Sequence, residues 1–241
     1  MKRHLICLIS ALALILSLSQ GSTADIVSTF TYDFSTGDQD ASGPQSGSNP
    51  YVMANPYVAR ANNENLESDS GIEAQQAVVY GHITPNPPGG PATTWQTFSA
   101  TAINSGRFDV VSVGFQYDLK GLIASSPFFT GIMQVDLLGS IDGFATPGIN
   151  LGSAQFVKDS SDVPPAMDLL FTVTDPTFQN VTGTVDFRLA FTDTLTGADN
   201  DSAHVIDNVA LTVDGSMIPE PATGIVFGLM MVAGVLVRRR S

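Results

Sequence analysis

Cysteine is nearly absent. The single one among 241 residues, Cys7, lies in an N-terminal apolar run. With no second thiol there is no intrachain disulfide and no zinc-type Cys/His cluster. Stability must come from core packing or bound ions. Histidine is almost as scarce: His4, His82 and His204 are the whole supply. No His-Glu-x-x-His, no Gly-x-Ser-x-Gly elbow and no phosphate-binding glycine loop occurs, so the sequence carries no catalytic motif and reads as non-enzymatic. Positive charge is also short, with ten Lys and Arg against 23 Asp and Glu. Between residues 25 and 218 only Arg60, Arg107, Lys120, Lys158 and Arg188 face 22 acids, and five against 22 leaves −17. So acidic a surface repels nucleic acid and anionic lipid; it suits either a solvated exterior with no ligand or the attraction of divalent cations such as a structural calcium. Tryptophan occurs once, at Trp95. A convincing amphipathic helix of ten or more residues is missing too.

What is present begins with two unusual ends. Met1-Lys2-Arg3-His4 is basic, and Leu5 to Leu18 is an apolar run of signal-peptide length, shorter than the ~20 residues of a stable span. Ser22 and Ala24 supply small residues at the −3 and −1 positions, which predicts cleavage between Ala24 and Asp25. Cys7 lies within the apolar run rather than after it, so lipidation is not expected. At the other end, Pro219-Glu220-Pro221 precedes the apolar segment Ala222 to Val237, and Arg238-Arg239-Arg240-Ser241 closes the chain. The prolines hold an extended stretch. Sixteen residues make a helix of roughly 24 Å, slightly short for a permanent membrane span. Three arginines, each costing about 2.5 kcal/mol or more at the bilayer core, stay cytoplasmic, which puts everything before Pro219 outside.

The interior alternates short β-prone runs with Gly, Pro, Asn, Asp and Ser. Runs are expected at Ile26 to Phe34, Gln76 to Ile83, Thr94 to Ala102, Arg107 to Leu119, Ile132 to Ile141, Ile149 to Val157, Leu169 to Thr174, Thr184 to Thr192 and Ala203 to Val213. In the fourth, Val111, Val113, Phe115, Tyr117 and Leu119 share a face. Asp38 to Pro56 reads as a polar loop and Asn62 to Glu73 as acidic and irregular. About ten strands at this spacing predict an all-β fold, a single jelly-roll-like two-sheet β-sandwich over residues 25–216. A signal helix (1–24) precedes it. A sorting segment (217–241) with a short transmembrane helix over 222–237 follows.

Three acidic positions are candidate metal ligands. In the last strand, alternation aligns Asp207 with Val205, Val209, Leu211 and Val213 and so points it inward. A buried carboxylate needs a partner: main-chain amides at a turn, or a structural calcium. Ile206-Asp207-Asn208-Val209 resembles the final strand of exported jelly-roll domains of carbohydrate-binding type, a resemblance that implies a structural calcium. Asp38-Gln39-Asp40-Ala41-Ser42-Gly43 has the oxygen spacing that opens a calcium loop, through Asp38, Asp40 and Ser42, but Asn49 stands where the bidentate Glu belongs. Asp193, Asp199, Asn200 and Asp201 form a third polar cluster, which also suits a plain turn.

Two features bear on sugars. Trp95 serves either core or edge packing or a sugar-stacking platform. Glu67-Ser68-Asp69-Ser70-Gly71-Ile72-Glu73 resembles the paired carboxylates of laminarinase-like glycoside hydrolases, with one residue too many between Asp69 and Glu73.

The C-terminal residues Ile218 to Ser241, with their Pro-Glu-Pro, short span and basic end in order, resemble the PEP-CTERM sorting domain of exported proteins of Gram-negative bacteria that make extracellular polysaccharide. The resemblance implies recognition by an exosortase-type membrane enzyme that cuts near Pro219-Glu220-Pro221. It also implies passage through the inner membrane to the surface or matrix. The expected role is structural or adhesive. The alternative is a carbohydrate-binding module with extracellular polysaccharide as partner.

Overall fold

Alternation of apolar and polar residues builds two antiparallel sheets. The computed structural model describes residues 25–34, 43–59, 71–73, 76–81, 94–119, 131–158, 165–193 and 202–218. Eleven strands occur there: β1 (Ile26–Tyr32), β2 (Val52–Ala54), β3 (Gly71–Glu73), β4 (Gln76–Gly81), β5 (Thr94–Ala102), β6 (Gly106–Leu119), β7 (Gly131–Ser140), β8 (Ile149–Lys158), β9 (Met167–Thr172), β10 (Thr184–Asp193) and β11 (Ser202–Met217). One sheet has the order β3-β4-β11-β6-β9, with β1 also on β11; the other runs β2-β5-β10-β7-β8. The expected two-sheet sandwich is therefore the fold. The only helical element among the described residues is a 3-10 turn at Pro176–Phe178, capped by the Asp175 carboxylate. The expected terminal helices, 1–24 and 222–237, lie outside the described residues; no described helix is long and apolar enough to cross a membrane.

The core fills with aromatic rings because both sheets turn their bulky alternate residues inward. Phe98 and Phe187, cross-strand partners on β5 and β10, stack at 4.9 Å between centroids, and Tyr57 stacks on Phe98 at 5.7 Å. Tyr32, from the other sheet, tilts against both Tyr57 and Phe98. Such pairs contribute about 0.5–1.5 kcal/mol each beyond the area they bury. Gln96 is buried beside them and accepts a hydrogen bond from the Tyr57 hydroxyl. His204 is also a core residue. It stacks parallel to Tyr117, whose hydroxyl lies 2.7 Å from His204 Nδ1.

Two strands depart from simple alternation. In β6, Phe108 and Val110 are buried, Val111 is 37% exposed, and Val113, Phe115, Tyr117 and Leu119 are buried. The inward set thus slips by one residue, as at a β-bulge, and Val111 leaves the face expected of it. In β11 the same slip occurs at Asp207 and Asn208. Ile206 is inward before it; Val209, Leu211 and Val213 are inward after it. Asn208 sits at φ 50°, a left-handed conformation that Asn tolerates better than most residues. Before the slip β11 pairs with β4, through Ile206↔Ala77; after it β11 pairs with β1, through Val209↔Tyr32. The extra residue bends the strand as it changes partner. β2 and β3 fall where a polar loop and an irregular acidic stretch were expected.

Candidate functional site

The outward face of the β2-β5-β10-β7-β8 sheet carries the most organised surface chemistry. Trp95 and Thr97 on β5, Arg188 and Asp186 on β10, and Asp136 and Leu138 on β7 all alternate with buried neighbours and so face out. Register sets Thr97, Arg188 and Leu138 in one row across three strands, and Trp95, Ala190, Asp136 and Ser153 in the next. The Arg188 guanidinium carbon lies 4.5 Å from the Trp95 ring centroid and 3.7 Å from that of Phe144. Cation–ring contacts of this kind contribute about 0.5–2 kcal/mol, the more so when water is excluded. Arg188 Nε is buried without a hydrogen-bond partner. Burial holds the Arg188 pKa below its ordinary value, against the opposing charge of Asp186. Burial likewise raises the Asp186 carboxyl, against Arg188.

Phe144 reaches this face from the β7–β8 turn because that turn is tightly built. Gly143 and Phe144 are both left-handed, at φ 68° and 62°. Ser140 Oγ accepts from the backbone N–H of Phe144 at 3.0 Å and of Asp142 at 3.1 Å, and donates to Asp142 Oδ1 at 2.7 Å. Thr146 closes the turn, donating to Asp142 Oδ2 from its hydroxyl at 2.7 Å. These bonds, Ser140's first, lower the Asp142 pKa. The ring then packs over Gly148, where a Cβ would come within 2.5 Å of Phe144 Cε1. Around the aromatic pair lies a polar field. Asp136 Oδ1 accepts from Gln134 Nε2 at 2.8 Å and from the Ser153 hydroxyl. Asn55 Nδ2 donates to Ser99 Oγ and Thr101 Oγ1. A face with ring surface, a fixed guanidinium, carboxylates and hydroxyls can hold a ligand that has both apolar C–H faces and hydroxyl edges.

Trp95 is therefore on the surface rather than in the core. Its partner Arg188, and Phe144 on which the same guanidinium packs, are not marked in the sequence. Arg188 was legible as an outward residue of the β10 run, but only the β5–β10 register brings it beside Trp95. Phe144 carries no periodic signal at all.

The other expected positions fare differently. Asp207 is partly buried, not a core residue, and its Oδ1 accepts from the Asn208 backbone N–H at 2.7 Å. The one-residue slip takes it out of the inward set, and three of the four aligned apolar residues that implied its burial, Val209, Leu211 and Val213, belong to the far side of the bulge. Its pKa is raised, chiefly by desolvation, with the Asn208 and Gln76 bonds opposing and the Asp33 charge adding. Among the described residues no group of three or more His, Cys, Asp or Glu is placed to hold a metal ion. Asp38, Asp40 and Ser42 lie outside the described residues, as do Asp199 to Asp201, Glu67 to Ser70, Ala24, and the sorting residues Pro219, Glu220, Pro221, Arg238, Arg239 and Arg240. Asp25 is described, immediately before β1, and Glu73 ends β3.

No protein-family model matches the sequence, and no curated protein matches it. Among solved structures, the chain is similar to the carbohydrate-binding module CBM27-1 of Caldicellulosiruptor saccharolyticus in complex with mannohexaose. The identity is 14%, the match covers 76% of this chain and 96% of that one, and the TM-score is 0.38. It is similar to the xylan-binding module CBM15 at 11% identity, over 78% and 97% of the two chains, with a TM-score of 0.36. TmCBM61 in complex with β-1,4-galactotriose shares 13% identity over 75% and 93%, with a TM-score of 0.30.

Proposed function

We propose that this chain is an exported β-sandwich that binds a polysaccharide on the outward face of its five-stranded sheet. The observation that carries the proposal is the Arg188 guanidinium fixed between the rings of Trp95 and Phe144. A sugar ring presents C–H bonds to an aromatic face and hydroxyls to charged and hydroxyl side chains at its rim. The rigid turn under Phe144 pre-organises that surface, which lowers the ordering cost of binding. Arg188, Asp186 and Asp136 then read the hydroxyl edges. The neighbouring solved structures are too loosely alike to bear on the ligand, and the proposal stands on the sheet face alone.

Delivery belongs to the termini. The signal peptide ending at Ala24 and the tail from Pro219 to Arg240 would send the sandwich across the inner membrane. An exosortase-type enzyme would act near Pro219-Glu220-Pro221 and leave the domain on the cell surface or in the matrix. In this reading the domain is an adhesive component that holds polysaccharide and is not an enzyme.

A glycan array probed with the processed protein tests the proposal, with Trp95→Ala and Arg188→Ala as controls. Binding to one or more polysaccharides that falls at least tenfold in both variants is expected. No binding to any glycan would leave the structural role alone.

A further inference from the structure

The opposite sheet carries a second polar site, at the end of the sandwich where β1 begins. Asp25, Arg107, Asp109, Asn180, Asp214 and Ser216 line a small cleft of about 80 Å³. Register explains why Asp25 is there: Ile26 pairs with Gly215 and Val27 with Asp214, so the residue before β1 is carried alongside the last turn of β11's pairing. The other polar groups in the cleft are mostly engaged. Asp109 Oδ1 accepts from the Asn180 backbone N–H at 2.6 Å, and Arg107 Nε donates to Ser216 Oγ at 3.2 Å. Asp214 is different. Its Oδ1 is buried and has no hydrogen-bond partner, and desolvation first, then the charges of Asp25 and Asp109, raise its pKa. A buried acceptor left unmet costs about 1–3 kcal/mol, more when it is charged.

We infer that Asp214 is the receptor for the chain's own amino terminus, the ammonium group that export processing would create on Asp25. This inference rests on the export reading above. Hydrolysis of the Ala24–Asp25 peptide bond adds one water, leaving a carboxylate on Ala24 and an ammonium on Asp25. Before cleavage, residue 25 offers the cleft only a neutral amide and its own carboxylate. After cleavage it adds a cation with three donors, within one residue of the β1–β11 ladder and among three carboxylates, with Arg107 the one competing cation lining the cleft. Processing would then add an ion pair that fastens the first strand to the last, and the mature sandwich would hold together better than its precursor. The linkage has a definite sign. The partner raises the pKa of the α-amino group above its ordinary ~7.7–8.0. The added stability is therefore complete below that ordinary value and is lost as pH rises through the raised one.

The test uses the full chain, expressed in a Gram-negative host, exported and recovered in its processed form. Brief amine labelling across pH 6–10, read by mass spectrometry of the N-terminal peptide, gives both the cleavage position and the apparent pKa of the amine. The expected result is a peptide starting at Asp25. Its amine should react about tenfold more slowly near pH 6.5 than in the urea-unfolded protein, and about fourfold more slowly near pH 8, as a pKa raised by about one unit requires. Asp214→Asn should restore ordinary reactivity, and Asp109→Asn should restore part of it, with Trp95 emission confirming that each variant is folded. A peptide that starts elsewhere overturns the export reading and the inference together. A peptide that starts at Asp25 with an amine of ordinary pKa overturns the inference alone. So does slow labelling that survives Asp214→Asn, since burial without an ion pair would produce that.

Discussion

The side-chain amide of Asn49 ties together strands of opposite sheets: its Nδ2 donates to the Ile26 carbonyl at 2.8 Å, at the start of β1. The same side chain accepts from the Tyr51 backbone N–H at 2.9 Å, just before β2, and Asn49 is only 7% exposed. β1 belongs to one sheet and β2 to the other. Asn49→Ala strands a part-buried carbonyl and an N–H, and a loss of about 1 kcal/mol or more is expected in urea unfolding. A change below about 0.5 kcal/mol would mean that water replaces the amide freely.

Gly152 lies where β8 crosses over the opposing sheet. A Cβ there would come within 2.0 Å of Phe171 Cδ1, and Phe171 packs at the margin of the core. Gly152→Ala must push the ring aside. Overpacking of this kind costs about 1–3 kcal/mol; the thermal midpoint should drop by several degrees, with the outward face of the five-stranded sheet unaltered.

Trp95 is the only tryptophan, so intrinsic emission reports on one stack alone. Phe144→Leu and Gly148→Ala both disturb the second ring that packs on Arg188. Each should shift the emission of Trp95 and weaken polysaccharide binding several-fold while leaving the unfolding midpoint within about 1 °C. An unchanged spectrum in both would show that the clamp does not hold the indole.

Three carboxyls, Asp186, Asp207 and Asp214, have pKa values raised by burial first of all. For an acid, a raised folded value means that the native state holds its proton longer than the unfolded chain. Stability from these groups is greatest below the ordinary carboxylate range and declines as pH rises through it toward the raised values. Asp142 and Asp175 have lowered values, each chiefly through a hydrogen bond, and act oppositely at lower pH. The unfolding midpoint should therefore peak in mildly acid solution and fall toward neutrality. Differential scanning calorimetry from pH 4 to 8 measures this; a flat profile would contradict it.

Calcium supplies a sharper test of Asp207. In the metal-free protein Asp207→Asn removes a carboxylate whose ionised form is penalised, so neutral or slightly higher stability is expected at pH 7. A calcium ion bound there would reverse that sign: EDTA would lower the melting temperature of the parent protein and not of the variant.

The strands with long alternating patterns were legible because burial on one side imposes a period of two. β5, β7, β8 and β10 appear within a residue or so of their expected limits. β2 and β3, three residues each, are too short to display a period, and they are held by pairing to β5 and β4. Bulges defeat sequence reading in another way. A slip of one residue leaves the composition of a strand unchanged but exchanges its faces, and so Val111 and Asp207 were both assigned to the wrong side. Trp95 could be singled out from sequence because it is unique. Its partnership with Arg188 could not, since it depends on a register between strands some ninety residues apart.

The β1–β11 pairing joins the first described strand to the last, Ile26 to Gly215. A chain that crosses a membrane amino end first cannot complete that ladder until nearly all of the domain has emerged. Until then the open flank of the first strand has no partner within the chain, and loop closure over so long a span is slow. In the export proposed above, the final β-strand would act as a timer: the sandwich would close only when the segment bearing Pro219-Glu220-Pro221 is about to follow.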